Sequence, residues 1–136
     1  MTSEPGDSIS VPQPEFSEEY LKGISLFNRK DFYQAHEEWE EQWKRHSESG
    51  NDFYKGIIQI AVAFLHWERA NPKGAIKMWK SGSAYLVKFN SPHMGIDLDS
   101  WLGKVDSLFS PWAEHWTSGD AFPQLDSTKV PEIQLE

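Results

Sequence analysis

The chain has no cysteine among its 136 residues. Disulfides and thiolate metal sites are thereby excluded, and a reducing compartment is the natural setting. No apolar run approaches the roughly 20 residues that span a bilayer. We therefore expect a soluble, cytoplasmic protein with no membrane partner. Basic side chains are few: 13 Lys and Arg stand against 21 Asp and Glu, a formal charge of −8. Contact with nucleic-acid phosphates requires a basic face, so no nucleic acid is expected as a partner. No stretch alternates as a strand would, and there is no Gly-rich phosphate loop, nucleophile elbow or Cys/His pair. What the chain does have is aromatic side chains, 14% of all residues, including seven tryptophans. Such rings stiffen a core or wall a pocket, and their positions alone do not separate the two.

The length fits one domain with a single modest core. Residues 1–14 carry three prolines and little to bury, and read as a flexible leader without the pattern of a secretory signal. A helical domain is expected over residues 15–109. Phe16, Tyr20, Ile24 and Phe27 recur at helical spacing, and Asn28 stops that helix. Asp31, with Gln34 three residues on, starts a second helix that runs to about residue 45. A third, over about 52–69, is apolar nearly all round and should be central. Asn71 and Pro72 cap a fourth helix to about residue 89, and a fifth is expected over about 98–109. Residues 110–136 are not periodic. They nevertheless carry Trp112, Trp116, Phe122 and Leu125, so part of this tail should form a strap across the helices, with the last residues frayed. The expected fold is an all-α, single-domain bundle of about five helices with a C-terminal strap.

The second helix contains "YQAHEEWEEQW", residues 33–43. On a wheel of about 100° per residue, Ala35, Phe32, Trp39, Trp43, His36, Glu40 and Tyr33 share one arc of roughly 160°. Glu38 and Glu41 fall opposite, as a solvated acidic face, and Glu37 lies at the rim. On the third helix Gln59 and His66 are seven residues apart and align. Two consecutive helices thus each turn polar groups toward a shared interior. Burying such groups without partners costs several kcal/mol, so His36, Glu40, Gln59 and His66 should face one another or a ligand. His46, His93 and His115 fall in connections or the tail and read as ordinary exposed or capping residues.

"HEEWEEQW" has the pattern His-x-x-x-Glu-x-x-Trp/Tyr and resembles the hallmark of a family of small bacterial and archaeal proteins, domain of unknown function 309. "FYKGIIQIAVAFLHWERANPKGA" is similar to that family's second block, and the two together span about residues 20–89. The resemblance implies an all-α fold and a metal-binding role for the motif, which falls here on His36 and Glu40.

Three readings of the site follow from the residues. In one, Glu40 accepts a hydrogen bond from His36 or His66 and the cluster only fixes helix register. In another, His36, Glu40 and His66 bind a divalent metal such as Zn, Mn or Fe, or a small ligand, with Glu37, Gln59, Trp39 and Trp43 as the supporting pocket. The third is a metal-dependent, hydrolase-type enzyme, although Glu40 stands where a metalloprotease motif has its second histidine. A separate possibility is a helical protein-interaction module whose partner groove is marked by Trp112 and Trp116.

Overall fold

A computed structural model of the chain describes residues 16–45 and 52–136. The expected leader, the connection 46–51 and His46 lie outside the described residues. Five helices follow in order: α1 (Glu18–Asn28), α2 (Phe32–Arg45), α3 (Asp52–Glu68), α4 (Pro72–Leu86) and α5 (Leu98–Ala113), with a 3-10 turn at Ser127–Lys129. Among the described residues there is no strand, only isolated bridges pairing Ile96 with His93 and Leu135. The fold is an all-α single-domain bundle. No helix among the described residues is long and apolar enough to cross a membrane.

Local chemistry sets the helix ends. Ser17 caps α1 by accepting from the Tyr20 amide at 3.1 Å, and Asp31 accepts weakly from Gln34 ahead of α2. Asn71 accepts from the Gly74 amide at 3.1 Å, with Pro72 at the first helical position of α4. Asp97 caps α5 through the Ser100 amide. That last helix runs a turn past its expected end, through Pro111. The extra turn has a packing cause. Ala113 is buried, and the Trp112 ring meets Trp67 edge-on at 5.1 Å, so Trp112 belongs to α5 rather than to the tail. In contrast α4 stops at Leu86, short of the expected residue 89.

α3 is the central element, packed on α2 to one side and α4 to the other, while α1 lies against α2. The α3–α4 contact is close: a Cβ on Gly82 would stand 2.9 Å from the Gly56 carbonyl oxygen. Aromatic rings fill the core, with Phe32 stacked on Phe64 at 5.4 Å, Phe27 edge-on to Trp101 at 5.8 Å and Phe64 against Phe109 at 5.2 Å. The Tyr20 hydroxyl, its pKa raised by burial, donates to the Met94 carbonyl at 2.6 Å.

The C-terminal segment lies over these helices. Val130 and Ile133 are buried. Asn28 clasps Ile133, its Nδ2 donating to the Ile133 carbonyl at 2.9 Å and its Oδ1 accepting from the Ile133 amide at 2.8 Å. Trp67 and Trp101 donate their indole N–H groups to the carbonyls of Pro123 and Pro131. The Glu136 amide donates to the Gly95 carbonyl at 2.8 Å.

Candidate metal centre

The buried side of α2 is Phe32, Ala35, Trp39 and Gln42. Its centre lies between Ala35 and Trp39, about 60° from the centre of the arc read off the sequence. Three expectations change with it. Tyr33 is exposed rather than inward, and Gln42, not singled out before, is only 7% exposed. Glu38 is half-buried beside Lys22, at 3.4 Å, instead of lying on a solvated face. The cause is α1, which covers the α2 surface bearing Ala35 and Glu38 and draws the buried stripe toward itself. His36 and Glu38 therefore flank the stripe, each about 80° from its centre.

On the other flank three ligating groups come together. One donor atom each of His36, Glu37 and Glu40 lies within 4.8 Å of the other two, and among the described residues no other such group of His, Cys, Asp and Glu occurs. His36 Nε2 is 3.9 Å from a Glu37 oxygen and 4.0 Å from a Glu40 oxygen. These separations are too long for hydrogen bonds. Donors sharing one tetrahedral ion at about 2.0–2.2 Å would sit about 3.4 Å apart, so sub-ångström side-chain shifts bring the three onto a cation. The side chains are 16%, 50% and 37% exposed, leaving one side open.

His36 is oriented by its backbone. Its Nδ1–H donates to the Tyr33 carbonyl at 2.7 Å, which fixes the proton on Nδ1 and leaves the Nε2 lone pair toward the carboxylates. A carbonyl holding the far ring nitrogen is the usual outer partner of a metal-ligating histidine. The Tyr33 ring also packs on the imidazole at 5.2 Å.

His66 is held elsewhere. The Asn71 amide, oriented by its cap bond to Gly74, donates to His66 Nδ1 at 3.1 Å. Neutral His66 therefore carries its proton on Nε2 and has no lone pair left for an ion. Helix register gives the reason. Phe32 opposite Phe64 and Trp43 opposite Lys55 set the levels of the antiparallel α2–α3 pair. Gln59 is then level with the stretch between His36 and Glu40, whereas His66 is about 10 Å further along, beside the start of α2. Gln59 Oε1 is buried and has no hydrogen-bond partner among the described residues.

Of the expected pocket residues, Trp39 is fully buried and faces α1, donating to the Tyr20 carbonyl at 3.1 Å. Trp43 is half-buried, with the Lys55 ammonium 5.7 Å above its ring. His93 is not an ordinary exposed histidine: it packs between Phe53 and Phe89 at 5.0 and 4.5 Å, and burial holds its imidazole below the usual histidine range. His115 is exposed. Trp112 and Trp116 form no exposed patch; both are half-buried, with their indole nitrogens covered.

Residues 20–78 match the profile of the family described as Domain of unknown function (DUF309). The matched stretch holds all of α2 and α3 and the first half of α4, and so contains the His36–Glu37–Glu40 group. No curated protein matches the chain.

Proposed function

We propose that this chain, which belongs through residues 20–78 to the family described as Domain of unknown function (DUF309), binds a divalent transition-metal ion at His36, Glu37 and Glu40. The observation that carries the reading is the approach of those three donors to within 4.8 Å, with the His36 lone pair pre-aimed by the Tyr33 carbonyl. One imidazole and two carboxylates suit Zn, Mn or Fe, and three protein ligands leave coordination positions for water or a small ligand. The purely structural reading has less support. Half-exposed carboxylates about 4 Å from an imidazole contribute at most about 1 kcal/mol, which is little return for three polar groups on one helix face.

The test is calorimetric titration of tag-free, chelator-treated protein with Zn²⁺ and Mn²⁺. Glu40→Gln keeps shape and an acceptor oxygen but removes the charge, so affinity should fall about 10-fold or more, while exposed Glu41→Gln should bind as wild type does. His66→Asn should also leave affinity unchanged. Equal binding by wild type and Glu40→Gln would refute the proposal.

A further inference from the structure

α2 and α4 both pack on α3 and scarcely on each other, an arrangement in which α3 can floor a groove between them. Two sets of contacts fix its ends. At one end Lys55 of α3 places its ammonium 5.7 Å from the Trp43 ring of α2 and 5.6 Å from the Tyr85 ring of α4. At the other end His66 lies so near α4 that a Cβ on Gly74 would meet its ring at 2.9 Å. Between these ends the floor residues Gln59 and Val62 are half-buried, as are His36 and Glu40 on one wall and Met78 and Ser81 on the other. Half-burial on all three helices is what an open groove produces. Trp43 follows Glu40 by three residues and His36 by seven, so Lys55 stands roughly 5–10 Å along the groove from the three metal donors.

The polar groups at the Lys55 end are incomplete. Among the described residues no carboxylate lies within ion-pair distance of Lys55, whereas its neighbour Lys88 is paired with Asp52. Among the described residues the buried Trp43 indole N–H and Gln59 Oε1 have no hydrogen-bond partner. An indole N–H and an ammonium can only donate, so what they lack is an acceptor. Lys55 is the movable part: two ring faces hold it, and a charge-assisted hydrogen bond is stronger than such contacts.

We propose that the groove binds a small dianion, a dicarboxylate or a phosphorylated carboxylate. One anionic end takes the open positions of the metal at His36, Glu37 and Glu40, and the other takes the Lys55 ammonium as it lifts from Trp43 and Tyr85. The inference rests on the metal reading above. With a divalent ion in place, the charges of Glu37, Glu40, Lys55 and the ion sum to +1, which favours an anionic ligand.

The test measures Mn²⁺ affinity with and without succinate, using acetate as the single-ended control and correcting free Mn²⁺ for complexation by the anion. Succinate at about 10 mM should tighten Mn²⁺ binding about fivefold or more in wild type. In Lys55→Met, which keeps the stem on the rings and loses the charge, the gain should fall below about twofold, and Lys55→Arg should restore part of it. Mn²⁺ affinity without an anion should be similar in all three proteins. If Mn²⁺ binds but succinate has no effect, or helps Lys55→Met equally, the groove inference is overturned and the metal reading stands. If acetate matches succinate in wild type, the anion touches only the metal, and the inference is again overturned. A wild-type chain that binds no Mn²⁺ overturns both.

Discussion

Gly23→Ala tests how α2 is held in the orientation that presents its three donors. A Cβ at Gly23 would stand 2.2 Å from Trp39 Nε1 and 2.5 and 2.6 Å from two ring carbons. Ordinary carbon contacts lie at about 3.5–4.0 Å, so the indole would have to retreat by more than about 1 Å. It has nowhere free to go, being fully buried and packed against Phe27 at 6.1 Å between ring centres. Retreat also breaks the 3.1 Å bond from Trp39 to the Tyr20 carbonyl. Overpacking costs about 1–3 kcal/mol and the lost buried bond about 1–3 more. Against this, alanine gains about 1 kcal/mol over glycine inside a helix. The net loss should be about 1–5 kcal/mol, from a total on the order of 5–15 kcal/mol. Urea denaturation reads it directly. Gly103→Ala is the control, because Gly103 lies within α5 with nothing inside 4 Å of its added Cβ. That variant should be unchanged or up to about 1 kcal/mol more stable. If Gly23→Ala behaves like Gly103→Ala, the account of the α1–α2 contact is wrong.

Asn28→Ala should cost about 1–3 kcal/mol, because it strips both partners from the Ile133 backbone, and limited proteolysis should then cut the C-terminal segment sooner. The His93 imidazole is harder to protonate in the folded chain than in the unfolded one. The unfolded chain therefore binds more protons below about pH 6.5, so this contribution to stability is complete above that pH and is lost as pH falls through it. Urea midpoints from about pH 7.5 to pH 5 should decline less steeply in His93→Gln than in wild type, and identical slopes would refute the assignment.

The helix order and most helix starts were legible because they rest on local chemistry: Asn71 and Pro72 at the head of α4, and the apolar run of α3. Rotational phase was harder to read. In α2 the aromatic residues Tyr33 and Trp43 pull a wheel toward His36 and Glu40, while the side covered by α1 carries Glu38 and Gln42, which no hydrophobicity scale places inside. The end of α5 was missed because Pro111 reads as a stop, yet Trp112 gains enough contact with Trp67 and Phe122 to carry the helix on. In the candidate site, the i, i+4 spacing brought out His36 and Glu40, and Gln59 falls at their level. Glu37 read as a rim residue because adjacent positions diverge by about 100°, a gap that a glutamate stem can close. For His66 the same wheel gave direction without height. Its level is set by the α2–α3 register, and its tautomer by Asn71 across the turn, neither of which a single helix reveals.

The central claim is a divalent ion held by one imidazole and two carboxylates of α2. X-ray absorption at the zinc edge, on tag-free protein loaded with one equivalent of Zn²⁺, tests it most directly. The account predicts a first shell of nitrogen and oxygen at about 2.0–2.2 Å whose outer-shell scattering fits a single imidazole, and loss of that signature in His36→Gln. A shell with two or more imidazoles, or one that persists unchanged in His36→Gln, would contradict it.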